Sequence, residues 1–218
     1  MRELQAGLWQ WQAPHPEWTP KQRWPREVSS CAIDDGERLL LFDPLAVPDA
    51  LLARAREREP VIVLTAPWHE RDARALVERL DATLFAPPPD TAQDLIDKYG
   101  ITADQAGDGS PDLGWLRGGG VPVHWYRPGD RLPVGIEAHE GREHNDLVLW
   151  IESHRAVVAG DSLGEFGEHL ALNPWLRGGV AREQVLERLR PLLELPVEVV
   201  LPAHGAATDR AALERALS

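Results

Sequence analysis

Three short apolar runs in this chain each end directly at polar residues suited to chemistry, and this repeated junction constrains the fold most. The junctions are residues 61–64 before Thr65 and His69, residues 157–160 before Asp161, and residues 199–201 before His204. Short runs rich in valine are typical of buried strands. Side chains just past such strands lie at a sheet edge, where ligands commonly bind. The sequence therefore predicts an α/β protein with a site at a sheet edge.

The rest of the hydrophobic pattern predicts strands that alternate with helices. Predicted strands cover residues 4–11, 28–33, 38–42, 61–64, 83–86, 134–138, 147–152, 156–159 and 197–201. Predicted helices cover residues 49–57, 71–80, 92–98, 182–193 and 206–217. Asp35-Gly36 predicts a tight hairpin turn, because these residues tolerate a positive φ. The strand–helix–strand order of residues 61–86 is a βαβ unit.

The two halves of the chain share a coarse order of several strands followed by a helix and a strand. This order favours two sheets packed face to face with helices outside, in a single domain over residues 1–218. Residues 91–120 are the least regular segment, and Gly107-Asp108-Gly109 and Gly118-Gly119-Gly120 predict a long loop there. A loop of that length is usually functional or mobile.

Composition excludes several classes of function. The chain has 23 basic and 35 acidic residues, and its formal charge of −12 disfavours nucleic-acid binding, which depends on neutralising phosphates. Cys31 is the single cysteine, so no intrachain disulfide and no cysteine-based zinc site can form. No apolar run is long enough to span a membrane, and the first residues are not typical of a signal peptide. We therefore expect a cytoplasmic protein with a small-molecule ligand or substrate and no membrane or nucleic-acid partner.

The order of these motifs resembles the metallo-β-lactamase superfamily over nearly the whole chain. Phe42-Asp43-Pro44 resembles the end of the family's opening hairpin, and Thr65 begins the segment where the family has Thr-His-x-His-x-Asp-His. Gly160-Asp161-Ser162 is similar to the family's Gly-Asp turn, and Pro202-Ala203-His204-Gly205 is similar to its late Pro-Gly-His-Gly segment. The resemblance implies a four-layer αββα sandwich. It also implies that Asp161 and His204 are metal ligands.

Enzymes of this family generally hold zinc ions whose shared hydroxide attacks a carbonyl, thioester or phosphate ester. This chain departs from the metal-binding pattern. When the family pattern is aligned at Thr65, its ligand positions hold Ala66, Trp68, Glu70 and Arg71. The family's middle histidine aligns with Arg142. Alanine, tryptophan and arginine do not bind metals. Asp161 and His204 remain, and a stable zinc site normally needs three protein ligands.

Other histidines offer a compensating site. His69 is one residue out of register, and His139 and His144 flank the Arg142 position. A centre built from Asp161 and His204 with His69, His139 or His144 would hold a single ion, with zinc as the expected metal. Each residue also has a local interpretation: His69 as a helix-start residue that bonds to backbone, Asp161 and His204 as turn residues. The expected cofactor is therefore either none or one metal ion.

Two functions from different classes remain open. The first is a pseudoenzyme, a small-molecule or anion-binding or regulatory module on a metallo-hydrolase scaffold. Its pocket would contain Trp68, Glu70, Arg71 and Arg142, with the two arginines forming an anion site. The second is a divergent mononuclear metal-dependent hydrolase. No catalytic residue is assigned, and no Ser-His-Asp or Cys-His arrangement is recognisable.

The tryptophans give a further expectation about this pocket. Trp68 replaces a ligand, so it is expected to fill the cavity with apolar bulk. Trp115, Trp125 and Trp175 lie in loop-like stretches expected to border the mouth. There they either pack or form a stacking platform for a flat substrate.

Overall fold

The N-terminal half of the chain builds the first sheet. The structure is a computed structural model that describes residues 1–109 and 122–218. The strands, in sequence and in spatial order, are β1 Arg2–Gln5, β2 Leu8–Pro14, β3 Glu27–Asp34, β4 Arg38–Phe42, β5 Glu59–Val63, β6 Thr83–Ala86 and β7 Val123–Trp125. Pairing is antiparallel from β1 to β4 and parallel from β4 to β7.

The C-terminal half builds the second sheet from β8 Arg131–Leu132, β9 Ile136–Glu143, β10 Asp146–Ile151, β11 Ala156–Gly160, β14 Val199–Pro202 and β15 Thr208–Asp209. Their spatial order is β15-β14-β11-β10-β9-β8. A separate hairpin joins β12 Leu163–Glu165 to β13 Leu170–Leu172. β11 and β14 pair in parallel, and the other pairs of this sheet are antiparallel.

The helices are α1 Asp49–Ala55, α2 Ala73–Leu80, α3 Ala92–Tyr99, α4 Ala103–Ala106, α5 Arg182–Leu189 and α6 Arg210–Ala216. α1 and α2 cover the outer face of the first sheet, α5 and α6 cover the outer face of the second, and α3 packs with α4. In β4 the alternation of side chains separates two cores. Leu40 and Phe42 face the second sheet, whereas Leu39 and Leu41 pack with α1 and α2.

The second sheet repeats this arrangement. In β10, Leu147 and Leu149 face the first sheet, and Val148 and Trp150 face the layer that contains α5 and α6. Strands that are buried on both faces explain the continuous apolar runs of the sequence. The predicted αββα sandwich is confirmed.

Local differences from the predicted elements have identifiable causes. The predicted first strand is two strands, because Gly7 turns the chain with a φ of +77°. A Cβ atom at Gly7 would lie 2.7 Å from the Asp34 carbonyl oxygen, so the turn requires glycine. The last helix starts at Arg210, later than predicted, because residues 208–209 pair with β14 and the Asp209 side chain caps the helix at 2.9 Å from the Ala212 nitrogen.

The middle of the chain is more regular than the predicted loop. α3 is confirmed, and α4 and β7 were not predicted. Thr91 and Thr102 each cap a helix there with a reciprocal hydrogen-bond pair. Gly118-Gly119-Gly120 lies outside the described residues. In the part of the chain that the structure describes, no helix has the length and apolar character to cross a membrane.

Candidate functional site

The three strand–turn junctions converge at one edge of the sandwich. β11 and β14 pair in parallel, so the residues that follow them emerge side by side. His69, Asp161 and His204 line one cavity of about 640 Å³. The structure therefore brings together three of the residues that the sequence analysis singled out.

The Asp161 carboxylate is the centre of this group. Its Oδ1 lies 3.3 Å from the Nε2 atoms of both His69 and His204. Its Oδ2 accepts a hydrogen bond from the Trp68 indole N–H at 3.0 Å. Burial opposes the charge of this carboxylate, but His69 and His204 together outweigh burial and hold the pKa of Asp161 well below its ordinary value. Asp161 is therefore an ionised carboxylate surrounded by nitrogen atoms.

His69 lies between the buried carboxylate of Asp43 and the partly buried carboxylate of Asp161. Its Nδ1 is 3.0 Å from Asp43 Oδ2, and its Nε2 faces Asp161. Burial disfavours a charged ring, but the carboxylates of Asp43 and Asp161 more than compensate and raise the pKa of His69 to about 9. His69 is thus a buried imidazolium at neutral pH.

The Asp43 carboxylate is held by Thr65, which follows the apolar run of residues 61–64. The Thr65 N–H donates to Asp43 Oδ1 at 2.8 Å, and the Thr65 hydroxyl donates to Oδ2 at 2.5 Å. The Arg71 guanidinium donates to the backbone oxygens of Asp43 at 2.6 Å and Ser29 at 2.7 Å. These bonds connect the turn after β5 to the β3–β4 hairpin. Arg71 also lines the cavity.

A bulge at the end of β9 brings Arg142 to the site. His139 pairs with Val148 and Glu143 pairs with Asp146, so three residues of β9 oppose one residue of β10. Arg142 Nε lies 3.1 Å from Asp146 Oδ2, and its Nη2 lies 3.9 Å from Asp161 Oδ2. Arg142 thereby supplies a buried positive charge beside the central carboxylate.

Asp146 forms an ion pair with Arg142 and fixes its position. The carboxylate is fully buried, and it accepts hydrogen bonds from the Ser162 hydroxyl at 3.2 Å and the Asp161 N–H at 3.1 Å. Burial raises the pKa of Asp146 to about 7, because attraction to Arg142 only partly offsets burial and the repulsion by Asp161. Asp146 was not predicted at the site, because an aspartate beside a hairpin turn has an ordinary turn interpretation.

Gly141 permits the bulge, and its substitution is expected to break it. A Cβ atom at Gly141 would lie 1.9 Å from the Asp146 carbonyl oxygen. Gly141→Ala is therefore expected to lower the free energy of unfolding by about 3 kcal/mol, the upper range for overpacking. Chemical denaturation measures the loss. Gly167→Ala is the control, because nothing lies within 4 Å of that Cβ position; equal stability of both variants would contradict the assignment.

Trp68 does not act as an apolar plug. Its indole N–H is bonded to Asp161, and 37% of the residue is exposed. Lys98 Nζ and the Arg142 guanidinium carbon each lie 5.9 Å from its ring centroid. Trp68 therefore presents a ring, flanked by cations, to the cavity.

Two residues expected at the site lie elsewhere. Glu70 does not line the cavity, because the short 3-10 turn Pro67–His69 buries His69 and leaves Glu70 partly exposed. His139 lies on the outer face of β9, opposite to the inward-facing Ala138, and Nε2 is 3.9 Å from Glu137. His139 lines a separate cavity of about 340 Å³.

His144 is also displaced from the central group. Its Nε2 lies 3.6 Å from Asp90 Oδ1 and 3.9 Å from Asp94 Oδ2. Among the described residues, these three form the one set of potential metal ligands whose atoms lie within 4.8 Å of one another. Lys98 offsets part of the charge of this cluster, since its Nζ is 2.7 Å from Asp90 Oδ1; the same Nζ lies 2.6 Å from Glu143 Oε2.

The rim of the cavity is basic and aromatic. One side is residues 15–24, whose lining members include His15, Lys21, Arg23 and Trp24. The other side contributes Tyr99, Trp175 and Arg177. Of the tryptophans expected at the mouth, Trp175 is present there, Trp125 lies on β7 and does not line the cavity, and Trp115 lies outside the described residues.

The residues around Asp161 do not fit the metal centre that the resemblance implies. Its two oxygens face nitrogen atoms of four side chains, and two of these, Trp68 and Arg142, cannot bind a metal. In the part of the chain that the structure describes, His69, Asp161 and His204 do not form a set of ligand atoms within 4.8 Å of one another. The charge of Asp161 is met by the chain's own cations.

Comparison with known proteins identifies the fold. No protein-family model matches the sequence, and no curated protein matches it closely. A metallo-β-lactamase family protein from Thermus thermophilus superposes with a TM-score of 0.63 and 16% identity, covering 99% of this chain and 78% of that one. An archaeal metallo-β-lactamase superfamily protein from Sulfolobus tokodaii gives 0.64 and 17%, covering 97% and 84%. The protein TTHA1623, solved in a di-iron-bound form, gives 0.57 and 24%, covering 88% and 94%. The chain therefore has the metallo-β-lactamase fold.

Proposed function

We propose that this protein binds a small anion in a pocket derived from a metallo-hydrolase active site and does not catalyse metal-dependent hydrolysis. The observation that carries the proposal is the environment of Asp161. Arg142 and the Trp68 N–H face its Oδ2, and His69 and His204 face its Oδ1. A guanidinium and an imidazolium here supply the positive charge that a metal supplies in an enzyme of this fold.

The charge around the cavity supports an anionic ligand. In the described residues, the lining includes five lysines and arginines and four carboxylates: Lys21, Arg23, Arg71, Arg142, Arg177, Glu17, Asp90, Glu143 and Asp161. The chain as a whole carries 35 acidic residues against 23 basic ones, so the cavity reverses the sign of the protein. A cavity with a net positive charge attracts anions more strongly than the acidic remainder of this protein does. His69 adds a further positive charge.

The proposal predicts that anions stabilise the protein and that zinc does not. Phosphate or sulfate at millimolar concentration is expected to raise the melting temperature by a few degrees, since a ligand that binds the folded state stabilises it. Sodium chloride at equal ionic strength is the control. Metal analysis of protein purified without a chelator is expected to find far less than one ion per chain. An unchanged melting temperature in both anions would contradict the proposal.

A divergent mononuclear hydrolase is the second candidate, and one observation favours it. His69, Asp161 and His204 meet in the same cavity, so a shift of these side chains would bring three ligands to one ion. Near-stoichiometric zinc, iron or manganese that is lost in His204→Ala would support this candidate and exclude the first. Arg142 lies beside Asp161 and opposes such an ion by charge repulsion.

A further inference from the structure

Exposed aromatic rings are concentrated at the cavity. Among the described residues, four large hydrophobic side chains are exposed: Met1, Trp68, Tyr99 and Trp125. Two of the four, Trp68 and Tyr99, line this one cavity, and the partly buried Trp24 and Trp175 line it as well. Aromatic side chains gathered in a concave site are typical of a surface that binds another flat group.

The rings are held in place before any ligand binds. The indole N–H of Trp68 is bonded to Asp161, which fixes the edge of that ring. Trp24 packs edge-on against His15 at 5.3 Å, and Trp175 packs edge-on against Phe166 at 5.1 Å between ring centroids. Rings that are fixed in advance lose little conformational entropy when a ligand stacks on them.

Cations with few partners surround these rings. Within residues 1–109 and 122–218, neither Lys21 nor Arg23 forms an ion pair, and both side chains are exposed. On the other side, the Arg177 guanidinium lies 5.2 Å from the Tyr99 ring centroid and donates to its hydroxyl. Charges that the protein does not neutralise itself remain for a ligand.

We infer that the ligand is a planar aromatic ring that carries a phosphate or carboxylate group. The ring stacks among Trp24, Trp68 and Trp175, and the anionic group contacts Lys21, Arg23 and Arg177. The cavity of about 640 Å³ falls in the size range of sites for such molecules. This inference rests on the proposed anion-binding function and specifies its ligand.

Titration calorimetry with matched probes tests the inference. AMP and 1-naphthyl phosphate join a ring to a phosphate, adenosine offers a ring alone, and inorganic phosphate offers the anion alone. At least one joined probe is expected to bind about tenfold or more tighter than both single-feature probes, because stacking on the aromatic rings adds to the binding of the anionic group. If phosphate binds and neither joined probe binds tighter, the inference is overturned while the proposed function stands. If no probe binds, both fail.

Two pairs of variants locate the contacts. Arg23→Gln is expected to weaken the joined probes about fivefold, and Arg26→Gln is expected to change them less than about twofold. Both arginines are exposed and in the same segment, but only Arg23 lines the cavity. Trp68→Leu should remove the advantage of the joined probes over phosphate, whereas Trp125→Leu should preserve it. Equal effects within either pair would overturn the inference.

Discussion

Replacing Arg142 with alanine is expected to lower the free energy of unfolding by roughly 3–5 kcal/mol. The side chain is nearly buried, and it lies 3.1 Å from Asp146 and 3.9 Å from Asp161. Its removal leaves the buried Asp146 without its main positive partner and Asp161 with one positive neighbour fewer. An uncompensated buried charge is among the most destabilising changes a protein can undergo.

The pH dependence of the stability lost in Arg142→Ala distinguishes the role of the arginine's charge from the role of its packing. The pKa of Asp146 is already about 7, and removing Arg142 raises it further. At pH 5 Asp146 is protonated, so the Arg142→Ala loss should be smaller at pH 5 than at pH 8. Denaturation with guanidinium chloride at both values measures it. Arg131→Ala, at an exposed ion pair, is expected to cost less than about 1 kcal/mol. A loss that is the same at both pH values would indicate a packing role alone.

Raising the pH from 6.5 to above 9 is expected to remove roughly 3 kcal/mol of stability through His69 alone. The folded pKa of about 9 lies above the ordinary value of 6.5, because the carboxylates of Asp43 and Asp161 stabilise the charged ring. The folded state therefore holds a proton that the unfolded chain releases. This contribution is complete below pH 6.5 and is lost as the pH rises through 9.

The difference between the parent protein and His69→Gln isolates this contribution. Unfolding free energies measured from pH 6 to 10 should converge at the alkaline end, because the parent loses the stabilisation that the variant never has. His169→Gln, which changes an exposed histidine, should follow the parent throughout. Parallel curves for the parent and His69→Gln would contradict a buried imidazolium. A nuclear magnetic resonance titration of the ring gives an independent measurement.

The fold was predictable because the sheets are buried on both faces. Apolar runs such as those of β4 and β10 indicated strands that are covered on both faces. The four-layer arrangement was implied by the resemblance of the motifs to the metallo-β-lactamase superfamily. The predicted element boundaries were wrong where a single residue determines where a strand or helix begins or ends. Gly7 divides the first strand, and the Asp209 cap begins the last helix.

The site was predictable only in part. His69, Asp161 and His204 follow buried strands, and the parallel pairing of β11 and β14 places two of them side by side. Glu70 was expected in the pocket because it matches the register of a family motif. The 3-10 turn Pro67–His69 instead buries His69, so counting residues from Thr65 selected a neighbour. Neither Asp146 nor Lys98 carried a sequence signal.

The sequence by itself indicated most of the strand and helix segments, two sheets with helices outside, and three junctions suited to a site, because these depend on periodic burial along the chain. The tertiary structure alone decided which charges neutralise which. The bulge opposite Leu147 places Arg142 against Asp146 and Asp161. The β3–β4 hairpin places Asp43 against His69. Such pairs join residues far apart in the sequence, and Coulomb energies depend on their distance and burial rather than on residue type.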